Sequence, residues 1–173
     1  MNSHIKIEKH VISILVDNEF GALARIVGVF SARGYNIESL SVAIIDHDRN
    51  LSKINIVTNG TNETVALITK LLHKIIPVHK AISITNQKHI VERALCLCKI
   101  CCTGDKRIEA LSLARTFLVN IIDSSDTSFI FEIYGTQEKI DAFINLMKPL
   151  GLVEISQTGV VAMVRGNKST FAT

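Results

Sequence analysis

Tryptophan is absent from this chain of 173 residues, and aromatic side chains make up only 5% of it, so its core is expected to be aliphatic. No apolar run approaches the ~20 residues that a membrane span requires. The opening MNSHIKIEKH has neither the apolar stretch of an export signal nor the arginine- and serine-rich stretch of a transit peptide, so a soluble, cytoplasmic protein is expected. Neither sign of charge dominates: 19 basic residues against 16 acidic ones leave a net charge of +3. Lys9, Lys53, Lys70, Lys80, Lys99 and Lys139 fall in different segments and form no stripe, which argues against nucleic acid as a partner. The motifs of common catalysts are missing too: no G-x-S-x-G, H-E-x-x-H or Walker sequence occurs. The histidines, His4, His10, His47, His73, His79 and His89, are scattered. Asp46-His47-Asp48 has the residue types of a metal ligand set or a general base, but it sits where a hairpin turn is expected and reads as a solvated loop. The chain is expected not to be an enzyme by itself.

Hydrophobic residues make up 47% of the chain, and the length suits one medium domain or two small ones. His10–Asp17 is a β-branched run and reads as a strand. Gly21–Arg33 follows with Leu23, Ile26, Val27 and Phe30 at helical spacing, and Gly34 ends it. Ile37–Ile45 and Leu51–Thr58 read as strands around the turn Asp46–Asn50, with Ile54 and Ile56 alternating against Lys53 and Asn55. Thr64–Ile76 is a second helix, with Val65, Ile68, Leu71, Leu72 and Ile75 apolar, stopped by Pro77. Val78–Thr85 is a fourth strand. The order is β-α-β-β-α-β, the pattern of a ferredoxin-like unit. After a polar dip at Asn86–His89 the pattern recurs: a strand Val91–Cys102, a helix Lys106–Leu118 with Ile108, Leu111, Ala114 and Leu118 inward, and strands Val119–Asp123 and Ser128–Tyr134. A helix Gln137–Leu150 follows, carrying Ile140, Phe143, Ile144 and Met147. Val153–Val164 closes the order, as a strand or a hairpin broken at Gly159. The expected fold is α+β, two ferredoxin-like βαββαβ domains over residues 1–86 and 90–173.

The run LCLCKICCTG places Cys96, Cys98, Cys101 and Cys102 close together. Zinc sites draw ligand pairs from turns and need a second cluster, which this sequence lacks. Strand alternation puts Cys96, Cys98 and Cys102 on one face and Cys101 on the other. Buried cysteine packs as a small hydrophobe, so these residues read as structural, with no metal and no disulfide expected.

The stretch NEFGALARIVGVFSARGYNIESL, Asn18–Leu40, is less easily explained. A helix beginning near Gly21 leaves unpaired N–H groups and a partial positive charge at its start, which suits a carboxylate. Gly21 lets a ligand approach the backbone, and Asn18 offers both a donor and an acceptor. A small amino acid needs both. The same residues also serve as an ordinary cap and turn, and spacing alone leaves the two readings open.

The block from Asn18 to Val42, continued by LSKINIV, LHKI, KIDAFI and the terminal TGVVAMVRG, closely resembles the small, regulatory subunit of acetohydroxyacid synthase (acetolactate synthase). The resemblance covers nearly all of Lys9–Gly166. It implies that the first domain is an ACT domain, an amino-acid sensor. It further implies a non-catalytic subunit that stimulates a separate catalytic large subunit and confers feedback inhibition by branched-chain amino acids, chiefly valine. Thiamine diphosphate, Mg and FAD would belong to that partner, with no cofactor on this chain. ACT domains of this family pair into a homodimer with the effector between them. By resemblance, Asn18, Glu19, Gly21, Ala22 and Leu23 would hold one end of valine, and Asn36 and Ile37 of the second copy would close the other side. The second domain would serve assembly or hold the catalytic partner. A stand-alone amino-acid-binding module, for instance in transcriptional control, is the alternative; no helix-turn-helix is visible. The chain departs from the family in its leading segment Met1–Lys9, at Pro77, in the cysteine-rich strand, and at Leu118, where the family commonly carries arginine.

Overall fold

The computed structural model describes residues 7–85, 90–167 and 169–171. His4, His89, most of the leading segment and the expected domain junction at Asn86–His89 lie outside the described residues. The chain divides into two compact units, residues 1–91 with 159–173, and residues 92–158.

The first unit has the expected order: β1 (Glu8–Asp17), α1 (Ala22–Ser31), β2 (Ser39–Asp46), β3 (Leu51–Gly60), α2 (Asn62–Leu72) and β4 (Val78–Ser83). Its antiparallel sheet runs β2-β3-β1-β4. β1 and β3 pair without a break from Glu8↔Gly60 to Asp17↔Leu51. On one face Ile12, Ile14 and Val16 of β1 join Ile54 and Ile56 of β3, packed against Ala22, Ile26 and Phe30 of α1 and Val65, Ile68 and Leu72 of α2. Burying each large aliphatic side chain of this set contributes roughly 1.5–3 kcal/mol. Leu23 was expected in the α1 stripe but is 41% exposed. The buried line is instead Ala22-Ile26-Phe30, spaced i, i+4, i+8, and the small Ala22 is the residue buried at the start of the helix. α2 stops at Leu72, short of the expected Ile76. The Pro77 carbonyl accepts the Asp17 N–H at 2.9 Å, so the chain has to leave the helix to reach β1, and proline disfavours helical geometry at the residue before it.

Lys53 and Asn55 alternate against Ile54 and Ile56, on the sheet face opposite the helices, and that face is covered. Ser13 Oγ donates to Asn55 Oδ1 (3.0 Å), Asn55 Nδ2 to Ser41 Oγ (3.4 Å), and Ser41 Oγ to the Val160 carbonyl (2.9 Å). Lys53 Nζ donates to the Ala162 carbonyl at 2.9 Å, and burial lowers the pKa of its ammonium group. Val160 and Ala162 are themselves buried. The C-terminal segment, expected with the second domain, therefore belongs to the first unit. Buried hydroxyl and amide groups need partners, and this segment supplies carbonyls to them.

The second unit repeats the order with β5 (Ile90–Cys101), α3 (Asp105–Thr116), β6 (Asn120–Ser124), β7 (Ser128–Gly135), α4 (Gln137–Met147), a 3-10 turn at Lys148–Leu150, and β8 (Leu152–Gln157). Its strands run β6-β7-β5-β8. The run Val153–Val164 is two strands. β8 pairs with β5, and β9 (Val161–Val164) falls in the first unit. The aliphatic core expected from composition holds for the first unit and fails here. Four of the seven phenylalanines gather in this unit: Phe129 stacks on Phe131 at 5.2 Å, Phe131 meets Phe143 edge-on at 6.0 Å, and Phe117 lies 5.5 Å from Phe143. α4 buries Ile140, Phe143, Ile144 and Met147 as expected. α3 follows its expected face only in part. Ala114 is buried as expected and Ala110 joins it, while Ile108 and Leu118 are 69% and 81% exposed. Alanines one turn apart present a narrow, flat face to their neighbours, and the larger residues lie outside it.

The two halves also share their helix ends. Thr61 and Thr136 cap α2 and α4 by accepting the N–H of Thr64 and Lys139. α1 closes with Tyr35 N–H on the Phe30 carbonyl and Gly34 N–H on the Ser31 carbonyl. α3 closes with Val119 N–H on the Ala114 carbonyl and Leu118 N–H on the Arg115 carbonyl. Both are Schellman motifs, which need a left-handed residue after the helix. Gly34 meets that need at φ 67°, but in α3 a leucine sits at φ 55°. A side chain in that region costs roughly 1–2 kcal/mol, partly offset by the smaller unfolded-state entropy of a non-glycine residue. Leu118→Gly is therefore expected to stabilise the protein by up to about 1 kcal/mol, a rise of roughly 2–4 °C in melting temperature. Calorimetry checks this, and a lower melting temperature would show that Leu118 is held by contacts its exposure conceals.

Candidate functional site

β1 ends at Asp17, and the loop from Asn18 to Gly21 carries the chain into α1. Gly21 is the N-cap, at φ 78° and with no side-chain cap bond, a conformation that glycine adopts without strain. The Ala22 N–H is taken by the Glu19 carbonyl at 3.2 Å and the Arg25 N–H by the Gly21 carbonyl at 3.0 Å. Among the described residues nothing accepts the N–H of Leu23 or Ala24. α1 has no acidic residue in its first turn, whereas α2, α3 and α4 carry Glu63, Asp105 and Glu138 there. The partial positive charge at the start of α1 is thus left uncompensated by its own first turn.

The loop is braced from three sides. His79 Nε2 of β4 lies 2.6 Å from Asp17 Oδ1. Arg25 folds back, with Nη1 3.0 Å from Glu19 Oε1 and Nη2 donating to the Phe20 carbonyl at 3.3 Å. A side chain at position 21 would come within 3.8 Å of the Arg25 guanidinium, so that group lies beside the open backbone of the loop. From the β2–β3 turn, Asn50 bonds to Asn18 through both backbone and side chain. Neither Arg25 nor Asn50 stands out in the sequence. Arg25 reads as a solvated helix residue, and its place is set by helical spacing from Gly21. Asn50 is brought in by strand register alone.

The seven residues named from the sequence are not equivalent. Asn18, Glu19, Gly21 and Leu23 are exposed around the start of α1, with Glu19 engaged by Arg25. Ala22 is 5% exposed and belongs to the core, so only its backbone is near the loop. Asn36 lies past the far end of α1, its carbonyl accepting from Thr58 Oγ1 at 2.6 Å and its Nδ2 donating to Glu38 Oε1 at 2.7 Å. Ile37 is half-buried and packs against the core. α1 is 10 residues long, about 15 Å. One chain therefore does not bring Asn36 and Ile37 to a small ligand held at Asn18–Leu23. Phe20, fully exposed, and Val42, Ile44 and Ile45 on the edge strand β2, between 42% and 53% exposed, leave apolar surface on this unit.

The cysteines are placed as strand alternation expects: Cys96, Cys98 and Cys102 inward, Cys101 exposed, all four as free thiols. The sulfurs of Cys96 and Cys98 lie 3.5 Å apart. The thiol pair and burial push Cys98 upward, and burial raises Cys102. In the Asp46–Asn50 turn, Asp46 Oδ1 accepts the Arg49 N–H at 2.9 Å, and His47 and Asp48 are exposed. Among the described residues no group of three His, Cys, Asp or Glu is placed to hold a metal ion, and no helix is long and apolar enough to cross a membrane. Because the thiolate is the reactive form, the folded protein is expected to release colour rapidly from a thiol reagent for Cys101 alone. The other three should react only on unfolding. Rapid reaction of two or more thiols in the native state would contradict the burial described.

Residues 12–80 match the family model described as an AHAS small subunit-like ACT domain, and residues 93–166 match the one described as the small subunit of acetolactate synthase. The probable acetolactate synthase small subunit of Archaeoglobus fulgidus is 44% identical over 160 residues, 92% of this chain and 99% of that one. The acetolactate synthase isozyme 3 small subunit of Escherichia coli is 38% identical over 161 residues, 92% and 98% of the two chains. The crystal structure of the acetolactate synthase small subunit from Thermotoga maritima superposes with a TM-score of 0.84 at 34% identity, covering 93% of this chain and 99% of that one.

Proposed function

The chain belongs to the acetolactate synthase small-subunit family, and on that premise we propose that it stimulates a catalytic large subunit and relays feedback inhibition by valine. It is a regulatory subunit in this reading, with thiamine-diphosphate chemistry confined to the partner. The observation that carries the effector site is the start of α1: a left-handed glycine, free N–H groups and no acidic residue in the first turn, all inside the ACT-domain match. A carboxylate is favoured at such a position.

Two copies of the chain complete the site. The separation of Asn36 and Ile37 from Asn18–Leu23 along α1 supports this, because a second copy can bring its own Asn36 and Ile37 to the first copy's loop. The exposed apolar residues of β2 and the exposed Phe20 and Leu23 are suited to being covered in such a pair. Valine then acts by binding the inhibited state of the assembly more tightly than the active one; equal affinity for both would shift nothing. The second unit, with Asp105 in the first turn of α3, is poorly suited to a carboxylate and serves assembly with the catalytic subunit.

The test is reconstitution. Adding the purified chain to an acetolactate synthase catalytic subunit is expected to raise its rate, and valine is expected to lower the rate again. A buried hydrogen bond to a charged group is worth roughly 1.5–3 kcal/mol, or about 10- to 100-fold in affinity. Asn36→Ala is therefore expected to shift the valine inhibition curve by about that factor while stimulation persists. Gly21→Asp should be more severe, since it sets a carboxylate against the ligand's carboxylate and a side chain at φ 78°. An unchanged curve for Asn36→Ala would remove that residue from the site. Loss of stimulation together with inhibition would assign it to assembly, and no stimulation by the unaltered chain would point to a stand-alone amino-acid-binding module.

A further inference from the structure

Asn50 is one of two non-glycine residues with positive φ among the described residues, at 52°. The ladder of β1 and β3 ends at Asp17↔Leu51, so Asn50 is the next residue opposite Asn18. The Asn18 N–H donates to the Asn50 carbonyl at 2.7 Å, which extends the ladder by one bond. Asn50 Nδ2 donates to the Asn18 backbone carbonyl at 2.9 Å, and Asn18 Nδ2 donates to Asn50 Oδ1 at 3.3 Å. These contacts fix amide orientations that neither side chain would hold alone. A backbone carbonyl only accepts, so the Asn50 group facing it has to be the NH2. That leaves Asn50 Oδ1 toward the Asn18 side chain, which then has to answer with its own NH2. Asn18 Oδ1, an acceptor, is what remains, and among the described residues nothing donates to it.

We infer that Asn50 is a positioning residue for the effector loop: it holds the Asn18 amide so that its oxygen, and not its NH2, is offered to the ligand's ammonium group. This rests on the reading of Asn18–Leu23 as an amino-acid site and adds a division of labour within it. The helix start meets the carboxylate, and Asn18 Oδ1 meets the ammonium. The left-handed conformation at position 50 is one that asparagine tolerates better than most residues. It belongs to the turn that delivers the side chain, so the β2–β3 hairpin acts as part of the site without touching the ligand.

The test uses the full chain, unaltered and as Asn50→Gly. Glycine keeps the backbone conformation and the Asn18 N–H bond to the residue 50 carbonyl, but removes both side-chain bonds. The probes are valine, titrated by calorimetry, and 2-hydroxy-3-methylbutanoate, titrated by competition, which has the same carboxylate and side chain with a hydroxyl in place of the ammonium. Asn50→Gly is expected to weaken valine about tenfold, the scale of one or two hydrogen bonds, and the hydroxy acid by less than about twofold, so the preference for the ammonium ligand collapses. If both ligands weaken equally, Asn50 merely stiffens the loop and the inference fails; it fails also if valine affinity is unchanged. If the unaltered chain binds neither ligand, the amino-acid site itself is overturned, a result distinct from either.

Discussion

The uninterrupted pairing of β1 with β3 is the constraint on which the first unit depends. Its register sets Ile12, Ile14 and Val16 beside Ile54 and Ile56 on one face, and Ser13 beside Asn55 on the other. A shift of one residue would turn every one of these side chains to the wrong face. The same register ends by setting Asn50 against Asn18. Core, covered polar face and the loop that opens α1 are therefore consequences of one ladder, and the β2–β3 turn is tied to the β1–α1 loop by backbone geometry before any side chain is considered.

The polar outer face of that sheet shows how burial and hydrogen bonding are kept consistent. Ser13, Asn55 and Ser41 would carry a desolvation cost if covered without partners. They form instead a chain across three strands that ends on the Val160 carbonyl, with Lys53 bound to the Ala162 carbonyl. The C-terminal segment is held by polar contacts to these side chains as well as by burial of Val160 and Ala162. Such contacts specify where it lies, because each donor has a fixed position on the sheet.

Two halves with the same order of elements differ at the start and end of their first helix. Both have threonine caps, both have Schellman closures, and both open their first helix on a left-handed or irregular glycine, Gly21 and Gly104. The second has Asp105 in the first turn of that helix and a leucine where the first has Gly34. The first helix start is open to an anion and the second carries its own. On the proposed reading, an amino-acid sensor in one half and a scaffold in the other follow from one charged residue more readily than from any difference in fold.

The order of elements, the two ferredoxin-like halves and the α2, α4 and cysteine-strand burial patterns were legible in the sequence, because alternation and helical spacing report locally on which side of an element is apolar. So was the glycine-opened start of α1, and the long block Asn18–Val42 named the family. The failures share a cause. The α3 face was placed correctly at Ala114 but misread at Ile108, Leu118 and Ala110, because Ala110 is small and its burial reflects close packing that hydrophobicity does not encode. The cover over Lys53 and Asn55 was not legible, because it comes from residues more than a hundred positions away. Arg25 and Asn50 carry no motif, and their roles arise from a side chain folding back along a helix and from a strand register. Local pattern determines which elements form and which faces are apolar; only the tertiary structure decides what covers each face and which polar groups meet, because those depend on contacts between segments distant in the chain.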